Sequence, residues 1–169
     1  MTVREESAHA LAEAGHSPAA VEALLGALVD KNASVRREVV HALGLMPPSH
    51  ADHVFPALRS SLDDPDETVR TTAARSAVRL GAAGVPLLIQ ALQNPVWLVR
   101  WWAALGLSDL GPVARDAIPV LQRALEDEKV GVREAAASAL TRITGTPTTA
   151  PSPSPKPSPS VSPSAPPSS

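Results

Sequence analysis

Cysteine is absent from this 169-residue chain. That removes disulfides, thiolate nucleophiles and cysteine metal sites from consideration. Aromatic residues are nearly absent as well: Phe55, Trp97, Trp101 and Trp102 are the only four. Hydrophobic residues still make up 44%, so the apolar content is mostly Ala, Leu and Val, which suits closely packed helices better than a sandwich. No apolar run approaches the roughly 20 residues needed to span a bilayer. Residues 1–6 are polar and acidic, without the apolar segment of a signal peptide. A cytoplasmic protein without membrane contact is therefore expected. There is also no excess of one charge. The formal net charge is −2 and the pI about 6.2, so no global field favours nucleic acid or an anionic membrane.

What the chain does have is repetition. Leu28 to Arg36 (LVDKNASVR), Leu62 to Arg70 (LDDPDETVR), Leu92 to Arg100 (LQNPVWLVR) and Leu125 to Arg133 (LEDEKVGVR) align without gaps. Successive Val-Arg pairs are 34, 30 and 33 residues apart, and a fifth pair, Val3-Arg4, lies 32 residues before Val35. This is the spacing of a solenoid. Each unit reads as two helices, A then B. In three units a proline stands 13 residues before the valine, at Pro56, Pro86 and Pro119, where it is expected to kink the interior of helix A. Asp30, Asp64, Asn94 and Asp127 are expected to cap helix B. Pro65 and Pro95 would then take its first position. Small or branched pairs follow four and five residues after each valine: Val39-Val40, Ala73-Ala74, Ala103-Ala104 and Ala136-Ala137. They let neighbouring helices approach closely.

The kinked A helix, the turn aspartate, the Val-Arg pair and the Ala-rich B helix together resemble HEAT repeats, specifically the short bacterial HEAT-like type of the phycobilisome lyases. The resemblance covers roughly residues 3 to 145. It implies an all-α, right-handed α-α superhelix: one leading half repeat, four full repeats and then a tail. The solenoid is expected over 1–145. Residues 146–169 hold 9 of the 18 prolines, interleaved with Ser and Thr, a composition that points to extended disorder.

Catalytic patterns are missing. His50 and His53, with Asp52 between them, share a helical face but read as solvated surface rather than as a metal site. The repeated His-Glu dipeptides of HEAT-repeat hydroxylases do not occur, nor does a glycine-rich phosphate loop or a nucleophile elbow. A non-enzyme without cofactor or metal is expected. Arg4, Arg36, Arg70, Arg100 and Arg133 recur at one register, which fits either a phosphate-binding stripe or a structural ladder. The resemblance favours the ladder, with Arg36, Arg70, Arg100 and Arg133 bonded to the turn residues Asp30, Asp64, Asn94 and Asp127. Because Asn94 breaks the charge pattern, Arg100 is expected to be the member least tied to it.

At 100° per residue, positions −2, +2 and +6 from each B-helix valine face away from helix A and should line the concave groove. That places Trp97 (−2), Trp101 (+2), Arg37 (+2), His41 (+6), Arg75 (+6) and Leu105 (+6) in a mildly basic aromatic patch, with Trp102 (+3) on its flank. At least one of Trp97 and Trp101 is expected to be exposed. Trp and Arg dominate binding hot spots. The leading expectation is therefore a monomeric, non-catalytic scaffold that holds a protein or peptide in this groove. Two alternatives stand beside it: a nucleic-acid-binding HEAT-like protein, which the acidic pI weighs against, and a regulatory or lyase-type accessory to an enzyme.

Overall fold

A computed structural model describes residues 18–47 and 50–151. These form four helical pairs. α1 (Pro18–Ala27) precedes α2 (Ala33–Leu43), and α3 (Ala51–Ser61) precedes α4 (Glu67–Arg79). A 3-10 segment, Gly81–Gly84, leads into α5 (Val85–Ala91), which precedes α6 (Trp97–Leu110). A second, Gly111–Ala117, leads into α7 (Ile118–Ala124) and then α8 (Val130–Thr144). No strand occurs among the described residues. Each A helix (α1, α3, α5, α7) packs on the B helix that follows it, and the B helices stack in chain order, α2 on α4 on α6 on α8. This is the α-solenoid anticipated by the repeats. The half repeat expected before Pro18, including Arg4, and the tail beyond Pro151 lie outside the described residues.

The core follows the valine register. Val35, Val69, Val99 and Val132 are buried, as are the small pairs behind them. Small pairs and apolar A-helix residues such as Leu58, Leu88 and Leu121 make one continuous core. It runs through all four pairs, because no single pair can bury its own apolar face.

Two local expectations are corrected. The helix-B caps are not the turn aspartates but the residues two positions later: Asn32, Asp66, Val96 and Lys129. The Asp30, Asp64, Asn94 and Asp127 side chains instead accept the backbone N–H of those residues at 2.8, 2.8, 3.0 and 2.9 Å. They build an Asx turn that brings the chain into the helix. Pro65 and Pro95 therefore sit in the turn. Where the cap carries an acceptor side chain it bonds as a cap should: Asn32 accepts from Ser34 N–H, and Asp66 from Thr68 and Val69 N–H. The Thr68 hydroxyl, helped by those N–H groups, holds the Asp66 carboxyl below its usual range.

The A-helix prolines also divide. Pro56 is interior to α3, as expected, whereas Pro86 and Pro119 occupy the first turn of α5 and α7. A proline there sacrifices no hydrogen bond, since the first N–H groups of a helix have no partner within it. The bend is made by the 3-10 segment before each proline. Gly81 and Gly111 begin these segments at φ +59° and +57°, a left-handed region that a side chain would strain.

Candidate partner-binding face

The turns are locked from one unit to the next by arginine. Arg36 donates Nε and Nη2 to the two carboxylate oxygens of Asp64, both at 2.8 Å, and Nη1 to the Asp30 carbonyl at 2.7 Å. Arg100 repeats the arrangement, with Asp127 at 2.7 and 3.0 Å and the Asn94 carbonyl at 2.9 Å. The hydrogen bond to the partner carboxylate is the main influence raising both guanidinium pKa values. On Asp127, burial pushes the carboxyl up, but bonds from Arg100 and the Lys129 N–H and the charges of Arg100 and Arg133 bring it below its usual range. Each fork thus closes its own turn with one hand and holds the next unit with the other.

The exception is Arg70, not Arg100. Arg70 bonds the carbonyls of Asp64 and Pro65 in its own turn, but its next unit offers Asn94. That amide donates to the Leu62 carbonyl at 2.9 Å, and Arg70 Nε, buried, finds no partner. The residue deciding each rung belongs to the following unit, so Asn94 affects the arginine before it. Arg133 closes its own turn through the Asp127 carbonyl at 2.8 Å. With their side chains engaged in this way, the ladder arginines do not form an open stripe.

The B-helix face carries two cavities that share a wall. The first, about 250 Å³, is lined by Arg37, Glu38, His41, Thr72, Arg75, Ser76 and Arg79. The second, about 390 Å³, runs from Arg75, Val78 and Arg79 past Trp102 and Leu105 to Asp109, Ser138 and Arg142. The Arg75 guanidinium lies over the Trp102 ring, 4.9 Å from its centroid, a cation–π contact. Trp102 in turn meets Trp101 edge to face at 4.9 Å.

Arg37, His41, Arg75, Leu105 and Trp102 therefore come together on one face, while Trp97 and Trp101 line neither cavity. Trp97 is 43% exposed at the start of α6. Trp101 is half-buried at the seam with the next unit, where an added Cβ on Gly131 would lie 3.6 Å from its ring. Trp101 rests where that helix has no side chain. The lining positions are +2, +3, +6, +7, +9 and +10, an arc centred roughly 60° from the face expected at 100° per residue. Among the lining residues outside the expected patch are Arg79, Asp109 and Arg142. All three occupy +10, one turn beyond +6 in the very row followed from −2 to +6.

Chemistry is sparse here. Among the described residues no group of three or more His, Asp or Glu is arranged to hold a metal ion. Asp52 and His53 are exposed and His50 is half-buried at the start of α3. No described helix is long and apolar enough to cross a membrane.

Stacked helical pairs with a shared core and an inter-unit ladder define the class: this is an α-solenoid built from tandem repeats. The chain belongs to the HEAT-repeat family, whose sequence profile matches residues 2–79 and 85–152. An uncharacterized phycocyanin operon protein of Pseudanabaena tenuis (strain PCC 7409) is 32% identical over 157 residues, covering 84% of this chain and 73% of its own. The solved CpcE–CpcF complex of phycocyanin lyase from Nostoc sp. PCC7120 is similar at 30% identity and a TM-score of 0.63. That match covers 85% of this chain and 60% of the lyase chain. An engineered protein of known structure shares the fold at 24% identity and a TM-score of 0.53, over 82% of this chain and 72% of its own.

Proposed function

We propose that this HEAT-repeat chain is a non-catalytic scaffold whose B-helix face receives a segment of a partner protein. The observation that carries the reading is Arg75 seated on Trp102 at the wall between two adjoining cavities. A planar cation and a large ring, both partly exposed beside two adjoining cavities, are what binding hot spots are made of. The ladder side chains, by contrast, are engaged in holding the repeats together.

The test is affinity capture from the native cell with three forms of the chain: wild type, Trp102→Ala and, on the A-helix side, Arg59→Ala. Loss of captured protein with Trp102→Ala alone supports the reading; a change of about 1 kcal/mol or more is expected for a hot-spot residue. Equal capture by all three sinks it.

A second reading has its own support. Two of the relatives bear the names of a phycocyanin operon protein and a phycocyanin lyase complex, which favours an accessory role in a lyase of that kind. Purified phycocyanin subunits offered to the chain would then bind at the same face, and Trp102→Ala would weaken them. Absence of binding would remove this reading and leave the scaffold reading in place.

A further inference from the structure

The charges on the B-helix face are unequal in a way that selects a partner. The two cavities are bordered by four arginines (Arg37, Arg75, Arg79 and Arg142) and two carboxylates (Glu38 and Asp109), a formal surplus of 4 − 2 = +2 in a chain whose net charge is −2. Both carboxylates are taken: Glu38 by Arg37 at 2.8 Å and Asp109 by Arg142 at 3.7 Å. Arg75 and Arg79 have no carboxylate partner among the described residues. Both are exposed, and both border both cavities. They stand four residues apart on α4, one helical turn, with side chains roughly 6 Å from one another.

Arg75 is also preset. Its guanidinium is held over the Trp102 ring, and among the described residues its N–H groups have no hydrogen-bond partner, which leaves them for a carboxylate. Beside the pair, Val78, Trp102 and Leu105 give the larger cavity an apolar wall.

We infer that this face takes an acidic amphipathic helix of a partner protein, with two carboxylates one turn apart on Arg75 and Arg79 and an apolar side chain against Trp102 and Leu105. The inference rests on the scaffold reading above and adds the chemistry of the partner. Nucleic acid fits less well. Salt-dependent duplex binding draws on many phosphate contacts, about 6–10 in a strong binder. Among the described residues this face has two arginines without a carboxylate partner, beside an apolar wall. A carboxylate pair matches both the count and the spacing.

The probe is a stapled helical peptide with an apolar Leu stripe flanked by two Glu one turn apart, and a twin carrying Gln in their place. Binding of a fluorescent label on each is read by anisotropy against the full chain. Wild type should bind the Glu peptide about tenfold or more tightly than the Gln peptide, as two charge-assisted contacts require, and salt should erode the difference. Arg75→Gln/Arg79→Gln should abolish the preference, with folding checked by circular dichroism. Trp102→Ala should weaken both peptides.

Equal binding of the two peptides, or a preference that survives in the double variant, overturns the acidic assignment. If Trp102→Ala still weakens both in that case, the docking face stands and only its charge preference falls. If Trp102→Ala changes neither, the face itself is wrong. No binding of the Glu peptide to wild type at millimolar concentration also overturns the inference, as does a single-stranded oligonucleotide that binds more tightly than the peptide.

Discussion

Arg70 and Asn94 hold the ladder positions at the middle seam of the described units without forming the pair that their counterparts form. Arg36 grips Asp64 and Arg100 grips Asp127, but Asn94 turns its amide to the Leu62 carbonyl and Arg70 Nε stays unbonded. Asn94→Asp supplies the missing acceptor and keeps an oxygen for the Val96 N–H. It gives up the bond to Leu62, so the expected gain is about 1 kcal/mol. A higher urea midpoint at unchanged slope is the readout. A lower midpoint would show that the Leu62 bond is worth more than the rung.

Arg100→Ala should be among the costlier single changes. It takes from Asp127 both guanidinium donors, leaving only the Lys129 N–H, and from the Asn94 carbonyl its Arg100 donor. Both paired side chains are about one-tenth exposed, and breaking such a pair costs about 3 kcal/mol. Arg100→Lys should recover little of this, because an ammonium does not provide the two parallel N–H bonds. The same pair sets a pH dependence. The Asp127 carboxyl lies below its usual range in the fold. Its stabilisation is therefore complete above the ordinary carboxylate range and lost as pH falls through the lowered value. In Asp127→Asn, melting temperature should be lower at neutral pH and fall less on acidification.

Two glycines should respond in opposite directions to alanine. A Cβ on Gly84 would lie 1.9 Å from the Ala77 carbonyl oxygen, where the 3-10 segment crosses close to α4. Backbone must move to admit it, and a loss of about 1–3 kcal/mol is expected for such overpacking. Gly26 has nothing within 4 Å of its added Cβ and lies within α1. Gly26→Ala should stabilise by about 0.5–1 kcal/mol. Thermal melts of the two variants decide both, and equal shifts would contradict the packing described.

The three tryptophans should be separable by acrylamide quenching of variants that keep one each, the others replaced by Phe. Trp97 should be the most strongly quenched, being the one with a large exposed surface. In the variant that keeps Trp102, Arg75→Ala should raise quenching, since it removes the cation lying over the ring. Unchanged quenching on loss of Arg75 would place the guanidinium elsewhere in solution.

The solenoid was legible because its signal is redundant: four aligned turns, four buried valines and four small pairs all report the same period. The ladder was legible in its members but not in its direction. Sequence places Asp64 and Arg70 in one motif, whereas the side-chain bond joins Arg36 to Asp64, 28 residues apart, so the motif ties Asn94 to Arg100 when the arginine it affects is Arg70. The face was half legible. An ideal helical wheel measures angle from the paired A helix, but each B helix also has B neighbours on either side. Those neighbours cover Trp101 and turn the open arc toward Trp102, Arg79 and Arg142. Gly131, whose missing side chain receives Trp101, lies a full repeat away and carried no signal on its own.

The unpaired Arg70 has a mechanical consequence. A repeat array behaves as a row of units coupled to nearest neighbours, and among the described units the two outer joints carry an Arg–Asp fork that the middle one lacks. The buried Thr71 hydroxyl beside Arg70 also lacks a partner, so the deficit is concentrated at this joint. The array should yield there first, as two stiff blocks about a compliant middle. Native-state hydrogen exchange would show this as earlier opening of α4 and α6 along their shared edge than of α2 or α8. Arg75 stands on one block and Trp102 on the other, so flexing at that joint would change the width of the very cavity a partner would enter.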